Sequence, residues 1–178
     1  MATDYLLKAI DISIDMGIES FLVPGDYAME TDLIFSLDMY RRYLKPVHHE
    51  IVEHIHKQGG IVTKHSDGNT WDLLDDWMDV GFDGYHPVQP QCMDLKEVKR
   101  HVKGRMSVWG NIDCRTVLVK GSEEEVRSSV RETINIAAPG GGYIITSSNS
   151  IHPNVKPKNY LAMVRAAHEY GRQQNGSN

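Results

Sequence analysis

Segments with helix-spaced apolar residues alternate with short apolar runs along the whole chain, and this alternation limits the fold more than any other feature. A first helix is predicted from about Asp4 to Met16, with Leu6, Ile10 and Ile14 on one face, Gly17 as its stop and Phe21-Leu22-Val23 as the following strand. Ser36 reads as the N-cap of a long helix carrying Met39, Tyr43, Val47, Ile51 and Ile55; Pro46 inside it should kink or split it. After Gly59-Gly60 comes the strand Ile61-Val62-Thr63. A third helix bears Leu73, Leu74, Trp77 and Val80, stops at Gly81 and leads to a strand from Phe82 to His86. Leu95, Val98 and Val102 mark a short helix, followed by the strand Met106 to Trp109. Ser122 with Glu125 three residues later is a capping box that opens a helix with Val126, Val130 and Ile134 on one side. Tyr143-Ile144-Ile145 is a fifth strand, and a last helix from about Pro157 to Tyr170 precedes a tail, Gln173 to Asn178, expected to fray.

Strands that alternate with helices imply βαβ units and a parallel sheet, whose strands are buried on both faces and read as plain apolar runs. A doubly wound dinucleotide-binding sheet is the competing architecture. No strand is followed by G-x-G-x-x-G, and Gly140-Gly141-Gly142 precedes its strand, where it suits a tight turn better than a phosphate cradle. The expected fold is therefore α/β: a partial (β/α)8 TIM barrel of about five βα units with parallel strands, forming a single domain over 1–178. With 178 residues, 40% of them hydrophobic, one globular domain suffices. A net charge of −5 argues against nucleic acid as a partner. No apolar run reaches the roughly 20 residues of a membrane span. The two cysteines, Cys92 and Cys114, are not in CxxC spacing, and no signal-like leader is present, so a reduced cytoplasmic protein with free thiols is expected. Four of the nine histidines, His48, His49, His54 and His56, crowd one predicted helix, where a solvated face is expected.

Polar residues gather after the strands. The five clusters are Pro24-Gly25-Asp26-Tyr27, His65-Ser66-Asp67-Gly68-Asn69, His86-Pro87 with Gln89, Gly110-Asn111 with Asp113, and Ser147-Ser148-Asn149 with His152. In a parallel barrel the βα loops at this end carry the active site. Asp, Asn and Ser at such places also cap the next helix, so Asp67, Asn69 and Asp113 have a second, purely structural reading. His65 and Asp67 are the sharpest pair. Residues i and i+2 of a strand point to one side, which aims an imidazole and a carboxylate into a common space. Such a pair can hold a divalent metal or run acid–base chemistry. A third ligand would have to come from Asp26, Asn149 or His152, or from outside the chain.

The chain resembles the C-terminal part of the uroporphyrinogen decarboxylase superfamily, which includes corrinoid-linked methyltransferases. The resemblance runs from about Phe21 to Tyr170 and rests on the order of short motifs: Gly25-Asp26, SLDMYRRYLKP from Ser36 to Pro46, HSDGN from His65 to Asn69, HPVQP from His86 to Pro90, WGNID from Trp109 to Asp113, APGGGY from Ala138 to Tyr143, Ser147-Ser148-Asn149 and Pro157-Lys158-Asn159. It implies a (β/α)8 barrel. In the methyltransferase branch it implies a zinc ion held by a His-x-Cys and a later Cys, used to activate a thiol. His65 matches that histidine, Asp67 stands where the cysteine would be, and the later position falls near Asn149. Any metal here would therefore sit among harder N/O ligands. The decarboxylase branch needs no metal and holds an acidic tetrapyrrole mostly through its N-terminal half.

The resemblance thus implies one of three roles: corrinoid-linked methyl transfer with a corrinoid protein as partner, porphyrinogen decarboxylation, or an inactive half-barrel serving as an oligomeric or binding module. For the active forms the expected catalytic residues are Asp26, His65 and Asp67, with His65 and Asp67 on a divalent ion such as zinc. Gln89, Asn111, Asp113, Asn149 and His152 are the expected substrate contacts. A full barrel takes roughly 250 residues. A homo-oligomer, a dimer first of all, or a missing N-terminal half is expected to complete it.

Overall fold

A computed structural model describes residues 2–175 of the chain. It divides into two compact units, Met1–Tyr85 and His86–Asn178.

The first unit runs α1 (Ala2–Asp15), β1 (Ser20–Val23), α2 (Leu37–Met39), α3 (Lys45–Lys57), β2 (Ile61–His65), α4 (Leu74–Val80) and β3 (Gly84–His86), whose last residue crosses the boundary. β1 pairs parallel with β2, Phe21 opposite Val62, and β3 is the next neighbour. Ser36 caps the second helix as expected, its Oγ accepting from the Met39 amide at 3.2 Å. The break expected at Pro46 takes the form of a five-residue π turn, Tyr40–Leu44, with Pro46 in the first turn of α3. Proline has no N–H for the carbonyl four residues earlier, so the preceding turn widens instead of continuing as α-helix. Trp71–Leu73 forms a 3-10 turn leading into α4, which ends at Gly81 in the left-handed conformation, φ +97. Ile55, Val62, Leu73, Leu74, Trp77 and Phe82 are fully or almost fully buried. Truncating a side chain such as Trp77 to alanine costs about 3–5 kcal/mol.

The expected solvated histidine face needs one correction. His48 is buried, and its ring stacks on Tyr27 and meets Phe82 edge-on. Both ring nitrogens are engaged, Nε2 with Tyr27 Oη at 2.9 Å and Nδ1 with Tyr40 Oη at 3.0 Å. Two aromatic neighbours turn this face of α3 inward, a contact that spacing within one helix does not reveal. His54 pairs with Asp11 at 2.6 Å and ties α3 to α1, while His56 meets Asp83 at 2.8 Å.

The second unit runs α5 (Leu95–His101), β4 (Ser107–Ile112), α6 (Val117–Lys120), α7 (Glu123–Ala137), β5 (Tyr143–Ser147) and α8 (Pro157–Asn175). β4 and β5 pair parallel, Trp109 opposite Ile144. β4 extends past the predicted end at Trp109 to Ile112 because Gly110, Asn111 and Ile112 find ladder partners in Ile145, Thr146 and Ser147. The capping box at α7 is present in both directions, Ser122 Oγ accepting from the Glu125 amide and Glu125 accepting from the Ser122 amide. Val126, Val130 and Ile134 of α7 pack with Ala162, Met163 and Ala166 of α8 over Ile112 and Leu118. α8 continues to Asn175, so Gln173 to Asn175, expected to fray, are helical; Gly176 to Asn178 lie outside the described residues.

Both units are α/β with strands added in chain order. Cys92 and Cys114 are free thiols. No helix among the described residues is long and apolar enough to cross a membrane.

Candidate functional site

The loop after β1 and the loop after β2 meet in the first unit. Gly25 precedes Asp26 with φ +141, a conformation suited to glycine; a Cβ there would lie 2.9 Å from the Tyr27 ring. Gly68 is tighter still. At φ +85, a Cβ would stand 2.5 Å from the carbonyl oxygens of both Ala28 and Met29. The HSDGN loop can therefore lie against the segment after β1 only with glycine at 68. The Asn69 amide donates to Met29 O at 2.8 Å, and Asn69 Nδ2 donates to Thr31 O at 3.1 Å. Ser66 links the two loops. Its Oγ accepts from the Tyr27 amide at 2.9 Å and donates to Asp67 O at 3.0 Å.

This packing brings Asp26, His65 and Asp67 together. One donor atom from each lies within 4.8 Å of the others. His65 Nε2 is 3.6 Å from Asp26 Oδ1, and that oxygen also accepts from the Asp67 amide at 3.2 Å. Asp26 is 62% exposed and His65 19%, so the group opens to solvent through the Asp26 side. The Asp67 Oδ1 atom is buried. The expected His-x-Asp pair thus has its Asp67 two residues beyond the end of β2, and Asp26 joins it.

Beneath this group lies Lys64, fully buried. Its Nζ donates to His65 O at 2.6 Å, to Gly25 O at 3.0 Å and to Val23 O at 3.4 Å, and stands 4.2 Å from the Tyr27 ring centroid. Burial lowers its pKa to about 7, against the opposing pull of the Asp26 charge. Lys64 falls between the predicted strand Ile61-Val62-Thr63 and the polar cluster that begins at His65, and the sequence reading gives it no role; in the structure it lies inside β2. The signal was there: a lysine inside a buried parallel strand must find partners for its charge.

The second unit's predicted residues are placed differently. Asn111 Nδ2 donates to Val88 O at 3.0 Å, and Val88 holds φ +50, a rare conformation for a β-branched residue. Gln89 O accepts from the amides of Cys92 and Met93 at 3.0 Å each. Asp113 Oδ1 accepts from the Arg115 amide at 2.7 Å and the Thr116 amide at 3.3 Å, and Thr116 Oγ1 donates to Oδ2. Burial pushes the Asp113 carboxyl up, but these hydrogen bonds, together with one from the Gln91 side chain, hold it below the usual range. Asn149 Oδ1 accepts from the Ser150 amide at 2.6 Å. His152 Nδ1 accepts from the Asn154 amide at 3.3 Å, so Nε2 carries the proton and donates to Cys114 O at 3.0 Å.

A family model described as Uroporphyrinogen decarboxylase (URO-D) matches residues 1–170. The chain belongs to the uroporphyrinogen decarboxylase family. A uroporphyrinogen decarboxylase of Pseudomonas fluorescens (strain SBW25) is 27% identical over 139 residues, which is 78% of this chain and 37% of that protein. One from Nitrosococcus oceani is 31% identical over 77 residues, 43% of this chain and 21% of its own length. The matched part is thus well under half of these curated relatives. A methyltransferase from Methanosarcina mazei has the same fold over 96% of this chain and 48% of its own, with a TM-score of 0.79 and 22% identity. The architecture is that of a partial (β/α)8 barrel.

Proposed function

We propose that this chain carries the metal-holding part of a uroporphyrinogen decarboxylase superfamily enzyme, and that its reaction is corrinoid-linked methyl transfer. The observation behind this reading is the convergence of Asp26, His65 and Asp67, three N/O donors within 4.8 Å. The donor set has no thiolate, so a sulfur-rich zinc centre does not fit. A divalent ion among harder ligands does: zinc takes imidazole nitrogen and carboxylate oxygen at about 2.0–2.2 Å, and three protein ligands leave one position open. When bound, such an ion would supply Lewis acidity and ease deprotonation of a nucleophile at the open position. His65 would present Nε2, Asp67 its carboxylate from the inner side, and Asp26 the exposed carboxylate that faces incoming substrate. Of the second unit's residues, Gln89, Asn111, Asp113, Asn149 and His152 are proposed substrate contacts only through atoms not already tied to backbone.

Metal analysis of freshly purified protein, beside His65→Ala, tests the centre. Roughly one divalent ion per chain, lost in the variant, is expected; an ion-free wild-type protein loaded with none on titration contradicts it.

The curated relatives' name favours a second reading, porphyrinogen decarboxylation, in which the same three groups act on protons and charge without a metal. An absorbance titration with an anionic tetrapyrrole separates the two, because the metal reading requires no such binding. Either activity is proposed for a completed barrel, with a second copy or an N-terminal half supplying the remaining strands, a corrinoid protein as the methyl carrier and the cytoplasm as the compartment. Light scattering of the chain alone should give a dimer or larger; a monodisperse monomer would leave the N-terminal half as the completing piece.

A further inference from the structure

A buried ammonium normally costs stability unless its charge and all its N–H groups are satisfied. Lysine offers three donors and no acceptor, and at Lys64 all three reach backbone carbonyls. Those carbonyls are not scattered. Val23 O ends β1, Gly25 O immediately precedes Asp26, and His65 O belongs to a proposed ligand. An apolar side chain of equal length would fill the same volume beside Tyr27 and Trp77 without engaging any of them. Packing alone therefore gives no reason for a cation at this position.

We infer that Lys64 is a positioning residue: its buried ammonium clamps the tips of β1 and β2 together and sets the spacing of Asp26 from His65 and Asp67. The loop-to-loop bonds above it complete the clamp. The Tyr27 amide reaches Ser66 Oγ at 2.9 Å and the Asp67 amide reaches Asp26 Oδ1 at 3.2 Å. Both bonds cross between the two loops that Lys64 ties from below. With the ammonium removed, the carbonyls of Gly25 and His65 lose their shared donor, and the two loops are free to separate.

The clamp itself is read without any metal; only its consequence for ion affinity rests on the proposed centre. Lys64→Met keeps the length and the apolar stem. Lys64→Gln, which keeps two N–H donors without the charge, serves on the same readouts if the methionine variant does not fold. The first readout is amide hydrogen exchange on the full chain. Exchange at Tyr27 and Asp67 should accelerate about 10-fold or more in Lys64→Met, while the Val108 and Ser148 amides, held by Gly142 O and Ile112 O, keep their wild-type rates. A role in filling space alone, which methionine preserves, would leave all four rates unchanged; that result, or acceleration of all four amides by one common factor, overturns the inference. The second readout is titration with cobalt(II), followed by its visible absorption. Affinity should fall about 10-fold, the scale at which supporting groups act on a metal site, with an altered band shape. Unchanged affinity and spectrum overturn the link between clamp and centre. If wild-type protein takes up no cobalt(II), the ion-centre reading fails, and the exchange rates still decide the clamp.

Discussion

The strand tips of the two units use similar polar residues to opposite ends. In the second unit, Asn111, Asp113, Asn149 and His152 each bond to nearby backbone: Val88 O, the amides of Arg115 and Thr116, the Ser150 amide, and Cys114 O with the Asn154 amide. In the first unit, Asp26, His65 and Asp67 face one another, and it is Ser66, Asn69 and Lys64 that hold the backbone in place. A polar strand end is a candidate site only when other residues have taken over the work of satisfying the loop. What the strand-end side chains face, one another or nearby backbone, and not the number of polar residues, separates the two cases.

The largest effect that would sharpen this contrast is on ion binding. Asp67→Asn or His65→Ala should weaken divalent-ion affinity by at least about 100-fold, beyond the 10–100-fold typical of supporting groups, with little change in melting temperature. Asp113→Ala should leave affinity unchanged. Calorimetric titration of the three variants checks this, and equal losses in all three would erase the distinction between the units.

Next is the acid response of the first unit. Burial lowers the His48 pKa from 6.5 to about 4, with the Lys64 charge adding to the effect. The unfolded chain takes up this proton below pH 6.5 and the folded chain does not, so the contribution is fully present above pH 6.5 and is lost as pH falls toward 4. It amounts to about 3 kcal/mol. Urea unfolding at pH 7 and pH 4.5 should show this drop in wild-type protein and a smaller one in His48→Gln. An equal drop in both would place the acid sensitivity elsewhere.

Smaller effects belong to the second unit. Asp113→Ala should cost about 1 kcal/mol, as loss of a helix-end acceptor does. Ser122→Ala, which removes one half of the α7 capping box, should cost about as much or slightly less. Thermal unfolding measures both. A loss well above 2 kcal/mol at Asp113 would mean that its carboxylate supports more than the turn at Arg115 and Thr116.

Elements that signal themselves locally were readable from sequence. The apolar runs at Phe21–Val23 and Tyr143–Ile145 are strands, and Ser122 with Glu125 is a capping box, because each depends on neighbours within a few residues. The π turn at Tyr40–Leu44 was readable only as an interruption: proline removes a donor, which marks a break in the helix without giving its form. The extension of β4 through Gly110 and Asn111 was not readable, since it comes from pairing with β5. The burial of His48 depends on Tyr27, 21 residues away, and so escaped a reading of one helix. At the site, the His65–Asp67 spacing was legible, and Asp26 was named as one of three possible third ligands. Choosing Asp26 required the close approach that Gly68 permits between two loops about 40 residues apart in sequence, which no local pattern encodes.

X-ray absorption of the zinc-loaded chain at the metal edge tests the ion centre most directly. A coordination sphere of nitrogen and oxygen alone, with the outer scattering of one imidazole, is the expected result. A sulfur scatterer at about 2.3 Å, or zinc that remains fully bound in His65→Ala, would contradict it.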